Sequence, residues 1–229
     1  MTQYDEKLEL PALFPPQDVS RGVGELLSRA GKRQLRIAET EKYAHVTYFF
    51  NGGEEDPYPG EDRSLVDSPR DVPTYDHKPE MSARAAADSF VQHWGAGGHG
   101  FGIINFANPD MVGHTGSIPA AVAACESVDV CLGQVVDAVH GSGGVCIVTA
   151  DHGNADNMLE PDGSPNTAHS MNPVPLVISD DVGELREGGT LADVAPTVLA
   201  LLGEEQPEEM TGTQLLRGQT PPPEGHQET

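Results

Sequence analysis

The stretch "VCIVTADHG", residues 145–153, decides how this chain is read. Four apolar residues, Val145, Cys146, Ile147 and Val148, give way within two positions to an acid, an imidazole and a glycine. A run that is apolar throughout, rather than alternating, predicts a strand buried on both faces. Such strands belong to mainly parallel sheets covered by helices, where ligands gather beyond the carboxyl ends of the strands. A second segment repeats the layout. "GIINFANPDMVGH" (102–114) predicts a buried strand running into a loop that carries Asp110 and His114. His169 lies on the loop before a further apolar run, "VPLVIS" (174–179), and can fold back toward the other two clusters.

Outward from these segments, strands alternate with helical patterns. "QLRIAE" (34–39) and "RSLVDSP" (63–69) predict strands. "TEKYAHVTYFFNGG" (40–53) predicts a helix, with Thr40 as N-cap and Gly52 as stop. A helical pattern covers 81–94, and "GFGIINF" (100–106) predicts a strand. From Ser117 to about His140, Ile118, Ala121, Val122, Cys125, Val128, Leu132, Val135, Val136 and Val139 recur every three or four residues, which is one apolar helix face. Pro196 suits the first turn of a last helix through "TVLALLG". The expected fold is α/β, a mainly parallel sheet sandwiched by helices. Residues 1–18 are expected to be a linker leading into the domain. Residues 19–217 are expected to form the domain, and the Pro-rich polar stretch 218–229 a disordered tail.

A divalent ion needs several convergent donors that are anionic or neutral at pH 7, and carboxylates and imidazoles supply them. Asp110, His114, Asp151, His152 and His169 are enough for one complete site or two incomplete ones. Gly113 and Gly153 permit close backbone approach beside them. An Asp-His pair alone is a weak signal. Asp76-His77, in "TYDHKPEM", follows no strong buried strand and reads as a solvated loop. Lys42 is one of only four lysines and falls just beyond the predicted strand 34–39. It reads equally as a surface lysine or as a cation that neutralises a phosphate. His45 and His140 fall on predicted helices, Trp94 reads as packing, and "GAGGHG" (95–100) as a turn.

Composition narrows the classes. Thirteen basic against 36 acidic side chains give a formal charge of -23, which argues against a nucleic-acid partner and suits a soluble, salt-tolerant surface. Three cysteines with no C-x-x-C pair point to a reducing cytoplasm rather than a disulfide framework. No run of 18 apolar residues marks a membrane span, and the first residues lack the pattern of a signal peptide.

At "RIAETEKYAHVTYFFNGG", "TYDHKPEMSA", "NFANPDMVGHTG", "VTADHGNAD" and "AHSMNPVPLV" the chain closely resembles the cofactor-independent phosphoglycerate mutases of the alkaline phosphatase superfamily. The resemblance runs from about Met1 to Leu216. It implies an alkaline phosphatase-like fold and interconversion of 3-phosphoglycerate and 2-phosphoglycerate through a phosphoserine, in glycolysis and gluconeogenesis. It also implies two divalent ions, commonly manganese, with magnesium, zinc or cobalt as other choices. Carried onto matching positions, Asp110, His114 and His169 would hold one ion. Asp151 and His152 would contribute to the second, and Lys42 would contact the phosphoryl group.

The resemblance covers only the C-terminal portion of that family, so the fold is expected to be a partial domain. The family's nucleophilic serine and an aspartate ligand of the second ion belong to an N-terminal segment that this sequence lacks. No catalytic nucleophile is therefore assigned here, and activity is expected only when that segment, or a chain carrying it, is present. Two other readings stand beside this one: a different metal-dependent phosphomonoesterase of the same superfamily, and a non-catalytic metal-binding fragment.

Overall fold

The computed structural model describes residues 19–217. The expected linker 1–18 and tail 218–229 lie outside the described residues. The elements run in the order α1 (Val23–Arg29), β1 (Arg33–Glu39), a 3-10 turn (Thr40–Lys42), α2 (Tyr43–Val46), β2 (Glu61–Val66), a second 3-10 turn (Tyr75–His77), α3 (Ala83–Gly95), β3 (His99–Ile104), α4 (Asn108–Gly113), α5 (Ile118–Gly141), β4 (Ile147–Thr149), β5 (Leu176–Ile178), a third 3-10 turn (Leu191–Asp193) and α6 (Val194–Leu202). Three strands form a parallel sheet in the order β2-β1-β3. β4 and β5 pair antiparallel in a separate two-stranded sheet, so the parallel sheet does not extend to them. Among the described residues no helix is long and apolar enough to cross a membrane.

β1 is the buried centre. Alternation along a strand sends successive side chains to opposite faces. Leu35 and Ile37 pack against Ala83, Ala86, Ala87 and Phe90 of α3 and against Cys131, Val135 and Val139 of α5. Gln34 and Arg36 turn to the other face. Gln34 donates to the Gly24 carbonyl of α1 at 2.7 Å, and the Arg36 guanidinium stands 4.2 Å over the Phe50 ring. Helices therefore cover both faces, as the sequence predicts, but this strand is not apolar throughout. Gln34, Arg36 and Glu39 are fully buried. Burial lowers the Arg36 pKa to about 10, partly offset by the charge of Glu61. Glu61 in turn accepts from Arg63 at 2.6 Å and from Asn51 at 2.8 Å.

Four local features differ from expectation. The helix predicted over 40–53 shrinks to a 3-10 turn and the four-residue α2, followed by turns. Thr40 does not cap it; its hydroxyl oxygen instead accepts the Ser68 N–H at 3.2 Å. Thr47 donates its hydroxyl to the Tyr43 carbonyl at 2.7 Å, at the point where α2 ends. The loop expected after β3 is in fact α4. The face of α5 is also shifted: Ala120, Ala121, Ala124, Cys131, Val135 and Val139 are buried, whereas Ile118, Val122 and Cys125 are exposed. Finally, Ile103, Ile104, Ile147 and Val148 are only half-buried. β3 has no partner on its outer side within the described residues, and β4 pairs only with β5.

A second apolar cluster seats the functional region. Met81, Ala107, Val112, Ala120, Ala121, Ala124 and Met158 join α4, the start of α5 and the loop after β4 into one packed unit.

Candidate metal centre

α4 turns the Asp110-x3-His114 spacing into a site. Residues four apart share one face of a helix. Pro109 lies in the first turn, where its missing N–H costs nothing, and His114 is the C-cap residue. Buried Asn108 donates to the Pro79 carbonyl at 2.8 Å and ties the start of α4 to the 79–82 loop.

Asp110, His114 and His169 converge, as expected. Asp110 Oδ1 lies 3.1 Å from His114 Nε2 and 3.1 Å from His169 Nε2, and the two imidazole nitrogens are 3.1 Å apart. Ion–ligand bonds of about 2.0–2.1 Å place neighbouring ligand atoms about 3.0 Å apart at right angles and about 3.4 Å apart at the tetrahedral angle. The triangle falls between these values. One carboxylate and two imidazoles are a donor set that suits several divalent ions. His114 Nδ1 lies 2.7 Å from the Thr167 carbonyl, so its N–H points there and the Nε2 lone pair faces the triangle. These residues therefore fit a divalent ion in both spacing and chemistry.

Lys42 sits at the end of the turn after β1. Its Nζ contacts Asp110 Oδ2 at 2.5 Å, with both side chains mostly buried. It is not a free surface lysine. Burial pushes the Asp110 pKa up, but hydrogen bonds from Lys42 and Asn154 and the charges of Lys42 and His114 outweigh it and hold it at about 2. Asp110 is thus an anion at neutral pH.

Asp151 and His152 are close by but do not join the triangle. The His152 ring stacks on the His169 ring, with centroids 3.7 Å apart and planes 18° apart. Asp151 is exposed, and its Oδ1 is 3.7 Å from His152 Nε2. Two donors are an incomplete site. Both line an open cleft whose other wall includes Val174, Leu176 and Leu191. Asp76 and His77 occupy the second 3-10 turn, outside this group.

Four contributors were not read from the sequence. Asn154 is buried and donates its amide to Asp110 Oδ1 at 2.8 Å and to the Asp110 carbonyl at 3.1 Å. Asp156 accepts from the Ser170 hydroxyl at 2.9 Å and from Asn172 Nδ2 at 2.6 Å, which ties the His169 loop to the Asp151 loop. The Ser170 N–H adds a bond to the Gly153 carbonyl at 2.9 Å. A Cβ on Gly153 would collide with the Ser170 hydroxyl, which explains that glycine. Thr167 contributes only its carbonyl, so no side-chain pattern could reveal it. Glu39, at the carboxyl end of β1, accepts the Ser82 N–H at 3.0 Å and the Ser68 hydroxyl at 3.1 Å. Burial raises its pKa to about 7; the Ser82 and Ser68 bonds oppose the rise, and the Glu41 charge adds to it.

Comparison with known proteins shows the family to which the chain is similar. The sequence pattern of the Metalloenzyme superfamily matches residues 7–206. The 2,3-bisphosphoglycerate-independent phosphoglycerate mutase of Nitratidesulfovibrio vulgaris is 55% identical over 218 residues, covering 94% of this chain and 43% of that protein. The protein of the same name from Syntrophotalea carbinolica is 54% identical over 218 residues, covering 94% of this chain and 42% of its own length. A crystal structure of Leishmania mexicana phosphoglycerate mutase at low cobalt concentration superposes with a TM-score of 0.82 at 35% identity. It covers 94% of this chain and 43% of that one. The chain therefore spans less than half the length of the curated relatives it matches.

Proposed function

This chain belongs to the Metalloenzyme superfamily, and on that premise we propose that it is the metal-binding C-terminal portion of a cofactor-independent phosphoglycerate mutase. That enzyme is an isomerase that moves a phosphoryl group between the 3- and 2-hydroxyls of glycerate, in glycolysis and gluconeogenesis. The observation that carries the reading is the triangle of Asp110, His114 and His169 with the Lys42 ammonium against its carboxylate. A cation trap with an adjacent fixed ammonium suits a phosphoryl group better than a neutral substrate.

In this reading Asp110, His114 and His169 hold one divalent ion, manganese by preference. Asp151 and His152 supply part of a second site, completed by an acid from a segment outside this chain. Bound divalent ions neutralise charge on the transferring phosphoryl group and lower the pKa of an attacking hydroxyl. Lys42 neutralises a further phosphoryl oxygen. The Thr167 carbonyl keeps His114 in the tautomer that offers Nε2, and Asp156 holds the loop that delivers His169. The serine that carries the phosphoryl group comes from the same outside segment, so the chain alone binds ions without turnover. The three free thiols support a reducing, cytoplasmic setting. The strong negative charge disfavours nucleic acid as a partner.

The test is to incubate the purified chain with manganese and 3-phosphoglycerate, with and without the N-terminal portion of a relative. Formation of 2-phosphoglycerate only in the mixture supports the reading. Turnover by the chain alone overturns the assignment of the nucleophile. Release of inorganic phosphate in place of 2-phosphoglycerate replaces the mutase with a phosphomonoesterase.

A further inference from the structure

Asn154 follows the Asp151-His152-Gly153 turn directly, and its side chain runs away from solvent toward α4. It is 5% exposed. Its Nδ2 spans two acceptors of one residue, the Asp110 carboxylate and the Asp110 carbonyl. Both are acceptors only, so the amide can face them in one orientation alone. That leaves Asn154 Oδ1 buried with no donor among the described residues. A buried carbonyl left without a partner is costly, and such groups in folded proteins need an explanation. The space it occupies is where a side chain on Gly113 would begin: a Cβ there would collide with Asn154 Oδ1 and lie 2.8 Å from its Cγ. Gly113 lies within α4, where glycine is a poor helix former. Two unfavourable choices, an orphaned amide oxygen and a helical glycine, thus serve a single contact.

We infer that Asn154 is a positioning residue of the Asp110–His114–His169 site, and that Gly113 is small to admit it. Lys42 holds Asp110 Oδ2 on one side of the carboxylate, and Asn154 holds Oδ1 and the main chain on the other. Between them they fix the carboxylate plane so that Oδ1 faces both imidazoles. The same amide joins α4, which carries two of the three converging residues, to the loop that carries Asp151 and His152. The inference rests on the reading that the triangle holds an ion.

The experiment is cobalt(II) titration of the chain, followed by visible absorption. Asn154→Leu keeps the size and removes the donor; Gly113→Ala leaves Asn154 intact and displaces it; His114→Ala removes a donor of the triangle itself. Loss of an outer partner of a ligand typically costs 10–100-fold in ion affinity. Asn154→Leu and Gly113→Ala are expected to weaken cobalt binding by about that factor, and to change the cobalt band shape at saturation. A merely structural clamp would lower the melting temperature and leave the saturated spectrum as in the parent. If His114→Ala abolishes binding while both other variants match the parent in affinity and spectrum, the inference is wrong and the ion site stands. If His114→Ala also binds as the parent does, the ion site itself is wrong and the inference falls with it. Should Asn154→Leu fail to fold, Gly113→Ala alone decides between these results.

Discussion

Glu39 makes the stability of this fold depend on pH in an unusual direction. The carboxyl is fully buried and receives only the Ser82 N–H and the Ser68 hydroxyl. Burial lifts its pKa from 4.5 to about 7, against the pull of those two bonds and with a small addition from Glu41. In the unfolded chain the group ionises near 4.5, so between that pH and about 7 the unfolded state gives up a proton that the folded state keeps. Stability therefore falls as pH rises through this window and levels off above it. A gap of that size is worth about 3 kcal/mol. Glu39→Gln keeps an acceptor for the Ser82 N–H, and its amide can donate to the Ser68 oxygen, so it mimics the protonated form. Melting temperatures of the parent and Glu39→Gln, measured with chelator present from pH 4.5 to pH 8, provide the assay. The two are expected to agree near pH 4.5. At pH 8 the variant should be more stable by about 3 kcal/mol, or about 6–12 °C for a domain of this size. A variant that is less stable at pH 8, or a difference that does not change with pH, would refute the buried-acid account.

Other outcomes follow from the same contacts. Lys42→Met removes the ammonium that would meet a phosphoryl oxygen, and should weaken inorganic phosphate binding to the manganese-loaded chain about tenfold; calorimetry reads this, and an unchanged phosphate affinity would contradict it. His169→Ala should lower manganese affinity far more than Asp151→Asn, because Asp151 stands outside the triangle; equal losses in equilibrium dialysis would place Asp151 among the primary donors. Glu61→Ala leaves Arg36 buried without its counter-charge and should cost about 3–5 kcal/mol in urea unfolding. Arg36→Met should cost much less, since Glu61 keeps Arg63 and Asn51.

The sheet and the site were legible to different depths. The segments 34–39, 100–106 and 145–150 marked real strands, the last two by their apolar runs and the first by Leu35 and Ile37 alternating with Gln34 and Arg36. Pairing was not legible. Nothing in "VCIVTA" distinguishes a strand of the parallel sheet from one paired antiparallel with β5, since both need the same side chains. The run 40–53 misled because its charged and apolar residues keep helical spacing, whereas Thr47 spends its hydroxyl on the main chain at the end of α2. Asp110, His114 and His169 were legible as carboxylate and imidazole beyond strand ends. The six-residue α4 is too short to repeat an apolar stripe, so its helical conformation leaves little trace in the sequence beyond Pro109 and the Asp110-x3-His114 spacing. Asn154 and Glu39 were missed for a different reason. Their roles come from burial against Gly113 and the 79–82 loop, and burial depends on contacts far apart in the chain.

X-ray absorption at the cobalt edge of the cobalt-loaded chain tests the metal centre most directly. Two imidazoles in the shell give outer-shell scattering that carboxylates and water do not. The triangle of Asp110, His114 and His169 predicts a signal of two imidazoles that falls to one in His169→Ala. A shell of oxygen alone, or a signal unchanged by that substitution, would contradict it.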